Sequence, residues 1–187
     1  VDFSHMVDKN GNTLADLESV IREKEDQITQ TLAAALSSQE GLRQQDIDNI
    51  RKYQAEMESA YEEQLQFYQS QLDAMATKVE IGGANMTYDQ AAQIIADTQS
   101  LQAEALSKLD EAYTSLITAT ENKYAALGQV GSEAYYAELE RNKAWYDEQY
   151  NIITSGGAKV NEAMGLVTQD WVETYSNGFD EINKVLD

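Results

Sequence analysis

Apolar residues recur along this chain at steps of three and four, the spacing that lines up one face of an α-helix. From Ile50 the positions Tyr53, Met57, Tyr61, Leu65, Tyr68, Leu72, Met75 and Val79 follow at steps of 3, 4, 4, 4, 3, 4, 3 and 4. Their mean of about 3.6 matches a nearly straight helix, not the 3.5 that forces a left-handed supercoil. Leu14, Leu17, Ile21, Ile28, Leu32 and Leu36 open the same block. A second stripe runs Ile94, Thr98, Leu101, Ala105, Leu109, Tyr113, Leu116 and Leu127, and a third holds Tyr135, Leu139, Tyr146, Tyr150 and Ile153. The fourth, and the cleanest, is Val160, Met164, Val167, Trp171, Tyr175, Phe179, Ile182 and Leu186.

Glycine supplies the boundaries, because just past a helix C-terminus the left-handed conformation costs it little. Gly82-Gly83, Gly128 with Gly131, and Gly156-Gly157 predict helical blocks at about 13–80, 87–127, 132–155 and 158–186. Thr87 with Gln90 has capping-box spacing, and Ser132 is placed to cap the next helix. Gly41, following Ser37 and Ser38, is the one position where the longest block would kink or break. Residues 1–12 read as an extended lead-in closed by the Asn10-Gly11 turn, with Phe3, His5 and Val7 in a weak alternation.

The fold class expected is all-α: long amphipathic helices in an elongated helical bundle or coiled-coil-like assembly over 13–187. An unbroken first block would reach roughly 100 Å at 1.5 Å per residue. The second and third blocks together match it in length. A hairpin folded back on itself and an oligomeric rod of like stripes would bury the same face, so periodicity leaves both open.

Composition strengthens the helical reading. There is no proline among 187 residues, where average usage would give roughly nine. Cysteine is absent too, which removes disulfides and thiolate chemistry. A formal charge of −20 disfavours nucleic acid and anionic membrane surfaces as partners. No apolar run approaches the roughly 18 residues that span a bilayer. A start at Val1 suggests a processed product or a piece of a longer protein.

Candidate chemistry is sparse. His5 is the single histidine and stands outside any triad context. Asp8, Asn10 and Asn12 have the alternate spacing that opens a calcium loop, but Thr13 and Ser19 stand where the glycine and bidentate glutamate belong. Glu62-Glu63 and Asp110-Glu111 read as solvated helix faces, since acid–base work needs a pocket that separates their pKa values. The expectation is therefore a non-enzymatic protein with no catalytic, metal-binding or cofactor-binding residues.

Eleven tyrosines and two tryptophans remain to be explained. Tyr53, Tyr61 and Tyr68 fall on an apolar stripe and read first as core, with hydroxyls reaching the wet edge of a narrow bundle. Tyr135, Trp145, Tyr146, Trp171 and Tyr175 join them as candidate helix-packing or partner-binding positions, because Tyr and Trp are enriched at interfaces. Of the neighbours Tyr135-Tyr136 and Trp145-Tyr146, both members cannot face one core. A protein is the expected partner, by self-association or through another structural protein.

The Ala/Gln/Glu/Tyr-rich, proline-free texture resembles part of a tail tape-measure protein of siphophages and prophages of Gram-positive bacteria. Runs such as YQAEMESAYEEQLQFYQSQL (53–72) and WYDEQYNIITSGGAKVNEAMGLVTQDW (145–171) carry the likeness, without a diagnostic motif. The resemblance implies an extended helical multimer in a virion tail, with helix length itself the function. A bacterial surface or secretion-associated bundle that binds a protein partner is the other reading.

Overall fold

The structure is a computed structural model that describes residues 6–186, with side chains described through 169 and at 173, 176, 177 and 184. His5, Phe3 and the rest of residues 1–5 of the expected lead-in lie outside the described residues, as do the side chains of Trp171 and Tyr175. Among the described residues the regular structure is helical: α1 (Leu14–Ser37), α2 (Gln44–Gly82), a 3-10 turn (Gly83–Asn85), α3 (Tyr88–Leu127) and α4 (Glu133–Leu186).

Each start has a local cause. Thr13 Oγ1 accepts the Asp16 amide and Asp16 returns a carboxylate to the Thr13 amide, so two of the unpaired N–H groups of the first turn are satisfied. The capping box expected at Thr87 and Gln90 is present. At Ser132 the hydroxyl accepts the Tyr135 amide. α3 ends at Gly128, which takes φ 68° while the Gln129 amide reaches back to the Tyr124 carbonyl at 2.9 Å.

One position expected to kink or break is a break, and one expected break is absent. The block at 13–80 is two helices, parted at 38–43, where Gly41 adopts φ 67°. The opposite holds at Gly156-Gly157, where no break occurs and the blocks at 132–155 and 158–186 form one 54-residue helix. Packing explains this pair. A Cβ added at Gly156 would stand 3.2 Å from Leu72 Cδ1, and one at Gly157 would stand 2.6 Å from Gln102 Nε2. The glycines let α4 approach its neighbours closely and do not terminate it.

The helices fold back on one another within the single chain. Glu18 and Glu25 of α1 meet Gln64 and Tyr61 of α2, so rising number on one helix meets falling number on the other and the pair is antiparallel. Thr98 with Met75, and Lys123 with Gln54, make α2 and α3 antiparallel as well. Asn142 with Thr120 and Tyr146 with Asp110 do the same for α3 and α4. α2 and α3 are central, since both touch α1 and α4. The apolar stripes close on one core that includes Ile21, Met57, Leu72, Leu109, Leu116 and Val160.

Candidate functional site

The aromatic positions divide sharply. Tyr61 is fully buried, its hydroxyl 3.2 Å from Ser115 Oγ and 3.5 Å from Glu25 Oε1. Tyr68 is buried beside it on the same face of α2, and burial raises its pKa above the ordinary phenol value. Tyr53 is half-buried, with Lys24 Nζ 5.6 Å from its ring centre. Trp145 belongs to the core, and its indole Nε1 has no hydrogen-bond partner among the described residues.

The neighbour of Trp145 points elsewhere. Tyr146 lies 4.8 Å from the Tyr113 ring and stacks at 6.2 Å on Tyr150, which is 42% exposed. Its hydroxyl donates to Asp110 at 3.1 Å. Burial, then this carboxylate, raises its pKa. At the α3–α4 turn, Tyr135 packs edge-on to both Tyr124 and Tyr136. The structure therefore gathers Tyr113, Tyr146 and Tyr150 into one cluster and Tyr124, Tyr135 and Tyr136 into another, of which Tyr124 is buried and Tyr136 and Tyr150 are exposed. Adjacent residues on a helix project about 100° apart, so Trp145 and Tyr146 are divided between core and edge.

Sequence periodicity missed the buried polar layers. Lys123 is buried, with Nζ 2.7 Å from Glu138 Oε1 and 3.1 Å from Gln54 Oε1. One turn away, Asn142 Nδ2 donates to Thr120 Oγ1 at 3.0 Å, and Arg141 makes a two-pronged contact with Glu58. Toward the middle of the bundle, Glu18 accepts from Gln64 and from Lys108, both at 3.0 Å. Ser115 donates to Glu25 at 2.7 Å. A signal for these layers existed. Gln54 and Gln64 stand four residues after Ile50 and three after Tyr61, at core register on the α2 stripe. A polar residue at such a place must find a partner.

The remaining candidates have local accounts. Asp8 Oδ1 accepts the amides of Asn10 and Asn12, both at 2.8 Å, so the calcium-like spacing is used as a turn. Glu111 pairs with Lys108 at 3.1 Å, and Asp110 serves Tyr146. Among the described residues no group of three or more His, Asp or Glu is arranged to hold a metal ion. An open groove of about 660 Å³ separates α1 from α3, floored by Ile28, Leu32, Met57 and Ala119. Its one ionisable lining residue is Glu25, which is engaged by Ser115. No helix of the described residues is long and apolar enough to cross a membrane. Comparison with known proteins found no matching family model, no matching curated protein and no matching solved structure.

Proposed function

We propose that this chain is a non-enzymatic structural protein, a helical segment of a tail tape-measure-like protein acting through helix length and helix–helix association. The observation that carries the reading is α4, which runs 54 residues through a Gly-Gly pair without interruption. At 1.5 Å per residue it extends about 80 Å. Val167 of α4 is level with Gly83, at the turn where α2 hands over to α3. The helix then continues to Leu186, roughly 28 Å further. The buried polar layers support the same reading, because ionisable groups spent on helix–helix register fix geometry.

The test is an in-frame deletion of 169–186 in the gene that encodes the chain, with particle length measured by electron microscopy. A tail shortened by up to about 27 Å per copy along the axis is expected. Unchanged length in particles that still assemble rejects the tape-measure reading.

A second reading, a bundle that binds a protein partner on a bacterial surface or in secretion, is favoured by the Tyr113, Tyr146 and Tyr150 cluster on the outer edge of α3 and α4. Cross-linking from Tyr150→Cys on intact cells or particles distinguishes them. A single heterologous partner supports the second reading, and cross-links to further copies support the first.

A further inference from the structure

We propose that the turn preceding α1 is a proton-operated latch, in which Asp8 and Glu63 hold it on α2 while they share one proton and release it when that proton is lost. Asp8 Oδ1 is occupied by the Asn10 and Asn12 amides, whereas Oδ2 is buried with no hydrogen-bond partner. Across from it, Glu63 Oε1 accepts Asn10 Nδ2 at 3.4 Å. A buried acceptor facing a second carboxyl group is satisfied when that group carries a proton and donates it. Asp8 and Glu63 line the same cleft, so with both ionised two like charges face each other there.

The electrostatics give the same assignment. Burial, the hydrogen bond to Asp8 and the charge of Asp8 raise Glu63 above its ordinary value, against opposition from Lys9 and Asn10. Burial also pushes Asp8 up, but the Asn12 and Asn10 amides and the Glu63 hydrogen bond outweigh it, and Asp8 ends below its ordinary value. Of the two, Glu63 is the group that holds a shared proton more tightly and Asp8 the one that holds the charge. The other charged groups near Glu63 are Lys24, Lys52 and Glu56 along the α1–α2 cleft, and Lys24 is committed to Glu56 at 2.9 Å.

The raised pKa of Glu63 contributes holding energy below its ordinary pKa, and this is lost as pH rises through its value in the docked state. The contribution of Asp8 is present above its ordinary pKa and is lost as pH falls through its lowered value. The turn is therefore held in mild acid and loosened toward neutrality. Release withdraws Met6 from its packing against the core and opens the cleft along α2 that Phe67, Ser70 and Gln71 line. α1 stays intact, because its first turn is capped independently by Thr13 and Asp16.

Hydrogen exchange of the whole chain, corrected for intrinsic rates, tests the latch at the Asp8 and Gly11 amides, which bond to the Asn12 and Asp8 carbonyls. Their protection is expected to fall about fivefold or more between about pH 4.5 and about pH 7.5, with α2 and α3 amides unchanged. Glu63→Gln, a permanent donor of the same shape, is expected to keep the protection at both pH values. Protection that does not change with pH in the parent chain, or that falls equally in Glu63→Gln, overturns the latch. In Asp8→Asn, a carbon-13 titration should show the Glu63 pKa lowered from its value in the parent chain, with the part due to burial remaining, and a Glu63 pKa unchanged by the substitution also overturns it.

Discussion

Lys123 Nζ lies 2.7 Å from Glu138 Oε1 across the α3–α4 turn, with the lysine side chain only 1% exposed. Gln54 of α2 completes the contact at 3.1 Å, so one ammonium ties three helices in register. Burial lowers the pKa of this lysine, and the hydrogen bond and charge of Glu138 resist the shift. The balance sets an order for what happens when either partner is removed.

Glu138→Ala leaves a buried ammonium without its counter-charge and is expected to cost about 3–5 kcal/mol, read from urea unfolding. Lys123→Met removes the buried charge itself and fills similar space, and the half-buried Glu138 can turn toward water. Its cost is expected to be well below that of Glu138→Ala. Arg141→Ala, by contrast, breaks a pair whose arginine is 56% exposed. That change should cost no more than about 1 kcal/mol. Equal destabilisation by Glu138→Ala and Lys123→Met would refute the assignment of Lys123 as the costly buried partner.

The glycines of α4 and of the α2–α3 turn separate packing from propensity. Gly165 has nothing within 4 Å of where a Cβ would sit, so Gly165→Ala gains helix propensity at no steric cost. It is expected to stabilise by about 0.5–1 kcal/mol. At Gly83 an added Cβ would overlap the Val167 side chain, and Gly83→Ala is expected to destabilise by about 1–3 kcal/mol. Thermal unfolding of the two variants should move in opposite directions. A gain from both would mean that α4 does not press on the turn as described.

These glycines also show how far the sequence could be read. Apolar spacing identified the helical stripes, and the Thr87 cap was visible because capping is local chemistry within four residues. Gly41 and Gly156 were indistinguishable at that level. Gly41 takes a positive φ within the loop between two helices, whereas Gly156 stays helical and admits Leu72. The difference lies in what approaches from another helix, which no local window contains. The candidate site was legible to the same depth. Tyr146 was marked by its type and by its neighbour Trp145, but its union with Tyr113 and Asp110 depends on the pairing of α3 with α4. Lys123 carries no local mark at all, since a lysine late in a helix ordinarily faces water.

Buried tyrosine gives the fold a characteristic alkaline response. Burial raises Tyr61 well above the ordinary phenol value, the Ser115 hydrogen bond opposes this, and the charges of Glu25, Glu111 and Glu18 add to it. Below the unfolded-state pKa of 10.0 the phenol is neutral in both states, and its contribution to stability is fully present. Above it the unfolded chain loses the proton while the folded chain keeps it, so stability falls as pH rises toward the folded value. Tyr61→Phe removes that response along with one buried hydroxyl. At pH 7 the variant is expected to lose about 1 kcal/mol, the usual net worth of a hydrogen bond. Between about pH 10 and about pH 11.5 its urea midpoint should decline less steeply than that of the parent chain. Tyr68, Tyr124 and Tyr146 are raised in the same direction, so the slope should be reduced and not abolished. Identical alkaline slopes in variant and parent would show that the Tyr61 hydroxyl is not held in the buried layer with Ser115 and Glu25.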